Sequence, residues 1–138
     1  MSFSTLPFAK RVSKPWGYEL IYTPEGLAYT GKTLMIEKGK RISFQIHDQK
    51  VETLILTSGS ALIWLEDGSG QIQKIPMELN KGYTVAVGQK HRVEALADSL
   101  IFEASLPETG TTTRIEDDYS RPDEDEALRQ DPNRGWDK

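Results

Sequence analysis

The sequence contains no cysteine and no long apolar run, and each absence excludes a class of protein. Without cysteine there are no disulfide bonds, thiolate metal ligands or cysteine nucleophiles. No apolar run approaches the roughly 20 residues of a membrane-spanning helix. The first residues also lack the apolar stretch of a signal peptide. We therefore expect a cytoplasmic protein with no membrane partner.

Positive charge is also scarce, because 17 lysines and arginines face 21 acidic residues and the net charge is −4. Nucleic-acid-binding domains are usually basic, so we expect no nucleic-acid partner. No helical hydrophobic period of useful length is present before Glu124. With 138 residues, the chain is long enough for one domain with a sizeable core.

Glycine and proline instead divide the chain into short β-branched and aromatic segments from Pro15 to Gly110. Short strands with regular turns predict an all-β sandwich or barrel rather than alternating strands and helices. The dipeptide Asp67-Gly68 predicts a tight hairpin corner between two of these strands. The predicted strands are residues 18–22, 33–37, 42–47, 52–57, 61–65, 71–75, 83–87, 91–95 and 100–105.

Composition divides the chain into three regions. We predict an N-terminal arm over residues 1–13, a β-barrel over residues 14–110 and an acidic C-terminal tail over residues 111–138, partly ordered or disordered. The tail has too few aliphatic residues to offset its ordering entropy alone. It predicts a short helix over residues 124–130 or a frayed end, and Trp136 is its one residue that would need a docking surface.

One of only two histidines ends a polar row. Side chains alternate along a strand, so Ser43, Gln45 and His47 share one face of the strand over residues 42–47. In a closed barrel that face either points to solvent or lines a polar cavity. A surface histidine is the alternative for this residue considered alone.

An acid follows this histidine at short range. The turn over residues 48–51 predicts a hairpin that places Glu52 beside His47 on the neighbouring strand. Glu52 shares a face with Leu54 and Leu56, so it heads an inward apolar row. A buried, unpaired carboxylate is costly, and a bound cation is one way to stabilise it.

The second histidine lies in a similar position. His91 shares a face with Val93 and Ala95 and therefore points inward, whereas Arg92 points outward, where we expect it to be solvated. Nitrogen and oxygen donors of this kind suit one divalent Mn, Fe, Co, Ni or Zn ion. The predicted ligands are Gln45, His47, Glu52 and His91, with Gln45 binding either the metal directly or a metal-bound water.

The spacing of these residues resembles the two motifs of the cupin superfamily. The first motif usually has histidine where Gln45 stands, and the second usually has a longer, proline-containing loop before its last ligand. The matching residues are Gly39–x5–Gln45–x–His47–x4–Glu52–x6–Gly59 and Gly82–x5–Gly88…His91. The resemblance implies a single-domain cupin-type β-barrel, a double-stranded β-helix or jelly roll, and a homodimer.

One branch of the superfamily is more similar. Residues 14–19 (KPWGYE), 43–47 (SFQIH) and 114–121 (RIEDDYSR) resemble the cupin domain of type II mannose-6-phosphate isomerases, in which glutamine is usual at the first ligand position. That domain commonly follows a GDP-mannose pyrophosphorylase domain, which these 138 residues do not include. The branch usually has arginine where Lys50 stands and histidine where Thr53 stands.

The resemblance implies a metal-dependent interconversion of mannose 6-phosphate and fructose 6-phosphate, and the partner would be an anionic sugar phosphate. Glu103 or Lys50 is the candidate catalytic group that moves a proton or holds the substrate. Lys50 is equally well read as a solvated turn residue, and Glu103 as the partner of a nearby cation. Arg41 could hold a phosphate as well.

Two other functions remain open. One is a cupin that binds a sugar or another small molecule without turnover, and the second is an Fe- or Ni-dependent cupin dioxygenase. Arg114 and Arg121 flank an acidic cluster, where we expect salt bridges rather than a substrate site.

Overall fold

Eleven β-strands and one short helix make up the part of the chain that the structure, a computed structural model, describes, residues 2–132. Trp136 lies outside the described residues. The elements are β1 (Lys10–Lys14), β2 (Gly17–Ile21), β3 (Thr30–Ile36), β4 (Phe44–His47), β5 (Glu52–Ser58), β6 (Ala61–Glu66), β7 (Ile72–Pro76), β8 (Gly82–Val85), β9 (His91–Ala95), β10 (Ser99–Ser105), β11 (Thr112–Glu116) and α1 (Glu126–Arg129).

The strands form two antiparallel sheets that face each other. One sheet has the strand order β1-β2-β3-β10-β5-β8, and the other has the order β11-β4-β9-β6-β7. The predicted all-β, single-domain barrel is confirmed. The inner faces of both sheets supply the apolar core, which includes Ile36, Leu54, Ile63, Val93 and Ile101, all fully buried.

The interior has an apolar end and a charged end. In the six-stranded sheet the inward row of β3 begins with Lys32 and continues with Leu34 and Ile36, all buried. Lys32 pairs in register with Glu103 of β10, and Glu52 opens the inward row of β5. Charged side chains therefore collect at one end of the barrel, while aliphatic side chains fill the other.

The connection between β4 and β5 differs from the predicted hairpin. The two strands belong to different sheets, so residues 48–51 cross from one sheet to the other instead of turning back. Gly88 N donates to His47 O (2.9 Å) and Asp48 N to Thr111 O (3.3 Å), which ties the start of the crossing to two other loops. The hairpin prediction was wrong because a four-residue loop has the length for either path.

The predicted hairpin between β6 and β7 is confirmed. Its left-handed residue is Gly70 (φ 83°), not Gly68, and Gly70 N donates to Asp67 O (3.0 Å). The Asp67 carboxylate accepts hydrogen bonds from Ser69 N (2.9 Å) and Gln71 N (3.0 Å). The tight corner therefore comes from the side chain of Asp67 and from Gly70.

Two strands lie outside the strands predicted from the sequence. β1 pairs with β2, and β11 pairs with β4, so the sheets extend beyond residues 14–110 on both sides. Both strands are largely polar, and each buries only part of one face, through residues such as Val12 and Thr112. Within the tail, α1 lies inside the predicted residues 124–130.

Candidate metal centre

Three of the four predicted ligands meet inside the barrel. His47 ends β4, Glu52 begins β5 and His91 begins β9, and all three are buried. His91 Nε2 lies 3.1 Å from Glu52 Oε1, and His47 Nε2 lies 3.6 Å from Glu52 Oε2. One donor atom from each residue lies within 4.8 Å of the others, so the three could hold a metal ion.

Strand alternation explains the inward direction of these side chains. Glu52 shares its buried face with Leu54, and His91 shares its own with Val93, as the sequence predicts. Gln45 and His91 are register partners on β4 and β9. The short loop before His91 is therefore long enough to bring this histidine to the other two ligands.

The hydrogen bonds of His91 decide which of its nitrogens faces the site. Its Nδ1 lies 2.9 Å from the carbonyl oxygen of Gln89, which can only accept, so Nδ1 carries a proton. Its buried Nε2 makes no hydrogen bond with any described residue. With its proton on Nδ1, the neutral form of His91 would present the Nε2 lone pair to a carboxylate oxygen of Glu52, and a cation between the two acceptors would stabilise them. The residues fit a divalent ion.

The second histidine has a similar outer partner. His47 Nδ1 and Thr112 Oγ1 share a hydrogen bond of 3.0 Å, which leaves Nε2 directed at Glu52. Burial lowers the pKa of His47, and Glu52 opposes this only in part. The neutral ring that a metal ligand requires is therefore favoured at neutral pH.

The pKa of Glu52 lies well below its usual range. Burial alone would raise it, but the opposite charge of Lys50, 3.0 Å away, lowers it. Glu52 is therefore an ionised carboxylate, the form that binds a cation.

Gln45 lies beside the three ligands, but its amide is turned away from a ligating orientation. Its oxygen accepts a hydrogen bond from the hydroxyl of Ser43, and its nitrogen lies 3.4 Å from His47 Nε2. Direct ligation by Gln45 would require the amide to rotate, because an amide binds metals through oxygen. Its role as a ligand stays a prediction.

Lys50 is buried at the centre of the charged end. Its Nζ lies 3.0 Å from Glu52 Oε2, 3.2 Å from Glu103 Oε2 and 3.0 Å from Glu108 Oε1. The interpretation of Lys50 as a solvated turn residue was therefore wrong, because the crossing of residues 48–51 carries this side chain inward. Lys50 stands directly against a predicted metal ligand.

Glu103 is the partner of two buried cations, which is one of the interpretations that the sequence left open, and its role in proton transfer stays a prediction. It lines the interior and pairs with Lys50 and with Lys32, whose Nζ lies 3.8 Å away. Burial and the charge of Glu52 raise the pKa of Glu103 to about 6, although both lysines oppose the shift. The carboxyl group of Glu103 therefore changes protonation state close to neutral pH.

The space around these side chains is small. The cavity that they line has a volume of about 50 Å³. By the same measure a water molecule needs roughly 10–15 Å³, so the cavity fits an ion with a few waters. The cavity is much smaller than the pockets that hold small-molecule ligands, which measure about 300–1,000 Å³.

Sequence reasoning missed several charged residues at this end of the barrel, among them Glu19, Lys32 and Glu108. Lys32 lies 3.0 Å from Glu108 Oε1 and 3.2 Å from Glu19 Oε1. Lys32 is in phase with the inward Leu34, but the predicted strand begins one residue too late to include it. Glu108 lies in a loop, where alternation gives no signal.

Arg41, the candidate phosphate-binding arginine, and Arg92 both lie elsewhere. Arg92 points outward as predicted, yet it is 0% exposed, so the expectation that it is solvated was wrong. Its Nη1 lies 3.7 Å from Glu116 and its guanidinium 5.2 Å from the centre of the Trp64 ring, because the segment after β11 folds over this face. Arg41 binds Asp118 (2.7 Å) on the same outer face. Neither arginine lines the cavity.

The arginines of the C-terminal segment form the expected salt bridges. Arg121 binds Asp117 (2.9 Å) and Arg114 lies 3.5 Å from Glu124. These pairs are buried, whereas the sequence suggested exposed ones.

Comparisons with known proteins show what this chain is similar to. No family profile matches it, and no curated protein sequence matches it.

Among the helices of residues 2–132, none has both the length and the apolar character needed to cross a membrane.

Solved structures match the chain with high similarity of fold and low identity of sequence. Oxalate decarboxylase from Bacillus subtilis matches with a TM-score of 0.63 and 17% identity over 77% of this chain. KdgF from Halomonas sp. matches with a TM-score of 0.61 and 16% identity, over 72% of this chain and 87% of its own.

A further oxalate decarboxylase structure, a study of the Mn(II) centres of that enzyme, matches with a TM-score of 0.61 and 17% identity. This chain spans 30% of the length of the oxalate decarboxylase chains. At this identity the matches establish the fold alone. The two facing sheets with a His/Glu cluster between them, together with these matches, show that the chain has the cupin fold.

Proposed function

We propose that this chain is a metal-dependent cupin in which His47, Glu52 and His91 hold one divalent ion. The observation that carries the proposal is the buried Nε2 of His91, which faces the Glu52 carboxylate without a hydrogen bond. Mn is the first candidate, because the oxalate decarboxylase neighbour is described with Mn(II) centres, and Fe, Co, Ni and Zn suit the same donors.

The metal site is tested by calorimetric titration of metal-depleted protein with Mn²⁺. We expect one ion per chain, and binding weaker by more than about 100-fold in His47→Ala and His91→Ala, since removing groups that merely orient ligands already costs about 10–100-fold. Lys90→Ala is the matched control, because Lys90 is exposed next to His91. Unchanged Mn²⁺ binding in both histidine variants would remove the proposed site.

For the reaction we propose an aldose–ketose isomerisation of a sugar phosphate, mannose 6-phosphate with fructose 6-phosphate. The motifs at residues 14–19, 43–47 and 114–121 support it by resemblance. A divalent ion bound to the three ligands would polarise the carbonyl oxygen of the sugar. Gln45 would orient that oxygen or a water through its amide.

Glu103 is the proposed proton carrier of this reaction. Its carboxylate would take the proton from the carbon next to the sugar carbonyl, giving an enediol, and return it to the former carbonyl carbon, while the hydroxyl proton passes from one oxygen to the other, so that no proton is gained or lost overall. A pKa of about 6 suits a group that must both accept and donate near neutral pH. Lys50, 3.2 Å from Glu103, would hold an oxygen of the substrate.

The assay for this proposal is the interconversion of the two hexose phosphates by Mn²⁺-loaded protein. We expect turnover that Glu103→Gln lowers by about 100-fold or more, the usual contribution of a positioned acid or base. A wild-type protein that binds Mn²⁺ normally and interconverts neither sugar would contradict the isomerase proposal and leave the metal site intact.

A cupin that binds a small molecule without turnover is the second candidate. The ion pair of Glu103 with Lys50 (3.2 Å) favours it, because it engages the proposed proton carrier. A hexose phosphate, bound or converted, would fit the cavity of about 50 Å³ only after side chains at the charged end move apart. Binding of a sugar phosphate without conversion, measured by calorimetry in the same preparations, would identify this function. A homodimer and a cytoplasmic location stay predictions, and analytical ultracentrifugation tests the first.

A further inference from the structure

Three cations from three separate elements converge on the carboxylate of Glu108. Lys32 Nζ on β3 and Lys50 Nζ before β5 both lie 3.0 Å from Glu108 Oε1. Arg129 Nε on α1 lies 3.5 Å from Glu108 Oε2. Three cationic side chains from separate parts of the chain thus surround one carboxylate of the protein, that of Glu108.

Glu108 is the member of this cluster that can leave it. Its side chain is 22% exposed, against 3% for Lys32, 4% for Lys50 and 7% for Arg129. The cations are therefore fixed inside the protein, while the carboxylate that they bind already contacts solvent.

The loop that carries Glu108 is held at both ends, and between them Arg129 Nη1 donates to Gly110 O (2.8 Å). Leu106 N donates to Val51 O (3.1 Å), and Thr111 N donates to Asp48 Oδ1 (2.8 Å). The residues between these anchors can change conformation without breaking the pairing of β10 or β11. A swing of the tip would carry Glu108 away from the cations.

A large cavity lies on the outer side of Glu108. Its volume is about 620 Å³, which is within the usual range for small-molecule sites of about 300–1,000 Å³. Lys32 and Glu108 line both this outer cavity and the small inner cavity that His47 and Glu52 also line, and Arg129 lines the outer one. Glu108 therefore stands between the outer cavity and the candidate metal centre.

We propose that Lys32, Lys50 and Arg129 form a subsite for an oxyanion group of a ligand, a phosphate or a carboxylate, which Glu108 occupies in this structure. A ligand that enters the outer cavity would place its anionic group where the Glu108 carboxylate lies, and the loop tip would swing out. The remainder of the ligand would then reach toward the metal ligands. The role of this subsite in anchoring a substrate rests on the proposed function. Binding of an oxyanion itself requires no metal.

The charges of the interior support binding of an anion together with a metal ion. Among residues 2–132, five acidic and five basic side chains are linked by ion pairs at this end of the barrel, so their charges balance while both histidines are neutral. A divalent ion would add two positive charges, which an incoming anion would offset, and we expect each to strengthen binding of the other. The linked residues are Glu19, Glu52, Glu103, Glu108, Glu124, Lys14, Lys32, Lys50, Arg114 and Arg129.

The test is a calorimetric titration of wild type and Glu108→Gln with inorganic phosphate and, separately, with acetate. Glutamine keeps the size of the side chain and removes the charge that competes for the subsite. We expect Glu108→Gln to bind the oxyanion at least about tenfold tighter, because the subsite is no longer blocked by an internal group. A gain for phosphate or for acetate assigns the subsite to that group, and a gain for neither overturns the proposal.

Two matched variants separate the subsite from a general charge effect. Glu78→Gln makes the same change of charge at an exposed position and is expected to leave binding unchanged. Adding Arg129→Gln to Glu108→Gln is expected to reverse most of the gain. An equal gain in Glu78→Gln would overturn the proposal.

Two further measurements keep the test decisive. If Glu108→Gln shows no cooperative unfolding transition, Glu108→Asp replaces it, because the shorter acid still withdraws from the cations and is expected to give a smaller gain. All titrations are made with a chelator and repeated with Mn²⁺. Failure to bind oxyanion with the chelator contradicts the subsite, whereas failure to bind Mn²⁺ contradicts only the proposed metal centre.

Discussion

Replacing Lys50 by methionine would test whether the charged end of the barrel stabilises the fold. Lys50 is within 3.2 Å of three carboxylates, those of Glu52, Glu103 and Glu108. At the 3.0 Å separation from Glu52, and with an effective dielectric constant of about 20, the Coulomb attraction of that pair alone is about 5.5 kcal/mol. Desolvation offsets most of it, but removing one partner of a buried pair still costs about 3–5 kcal/mol.

The assay is thermal and urea unfolding of the metal-depleted protein. For a domain of this size each kcal/mol corresponds to about 3 °C, so we expect the melting temperature of Lys50→Met to fall by about 10–15 °C. Lys81→Met is the matched control, because Lys81 is also 3.0 Å from a carboxylate, that of Glu78, but both side chains are exposed. Exposed pairs contribute about 0–1 kcal/mol, so the control is expected to lose almost nothing.

The same variant also tests the link between Lys50 and metal binding. Lys50 holds an oxygen of Glu52 that a metal ion would share, and its charge repels a cation. We therefore expect Lys50→Met to bind Mn²⁺ more tightly than wild type and to recover part of its lost stability when Mn²⁺ is added. Equal losses of stability in the Lys50 and Lys81 variants, or weaker Mn²⁺ binding in Lys50→Met, would refute this reasoning.

Two further predictions concern stability away from the metal ligands. Gly59 has φ 99°, and a Cβ there would overlap the carbonyl of Asp98. We therefore expect Gly59→Ala to lower the free energy of unfolding in urea by about 2 kcal/mol or more. Gly68→Ala is the control, because the space around Gly68 is open, and equal losses in the two variants would contradict this prediction. Burial alone would raise the pKa of Asp117, but hydrogen bonds from Arg121 outweigh it and lower the pKa below the usual 3.8. Ionised Asp117 therefore stabilises the fold above pH 3.8. The difference in free energy of unfolding between wild type and Asp117→Asn is expected to shrink as the pH falls from about 5 to below 3.8. A difference that stays constant over this range would contradict the stabilising role of ionised Asp117.

Alternation along strands predicted the direction of the key side chains well. Glu52 and His91 point into the barrel because each belongs to a row with a period of two that includes buried aliphatic residues. This information is local, and a short window of sequence contains it. The inward direction of these two ligands therefore follows from the sequence alone, whereas the polar row that His47 ends could have faced either way.

Which sheet a strand joins could not be predicted in the same way. The loop over residues 48–51 could close a hairpin or cross between sheets, and its length and composition fit both. The choice depends on pairing with β9 and β11, which lie 40 or more residues later in the chain. The approach of Glu52 to His47 was predicted, but the path by which the chain brings them together was not.

The burial of outward-facing residues could not be predicted from the local sequence either. Alternation correctly directs Arg92 away from the core, but a later segment containing Glu116 and Asp118 covers it. Strands β1 and β11 were missed for a related reason, since each buries few apolar side chains and is held mainly by pairing with a neighbour. Polar strands of this kind carry little local signal.

The charged end of the barrel joins stability to ligand binding. Lys50 neutralises Glu52 and Glu103, and Glu108 in turn satisfies Lys50 and Lys32. A divalent ion at Glu52 would take over part of the role of Lys50, and an oxyanion would take over that of Glu108. A divalent ion alone would leave Lys50 with one carboxylate partner fewer, at the cost of a buried, partly uncompensated charge. The same contacts that stabilise the barrel therefore favour ligands that bring both a cation and an anionic group to the site.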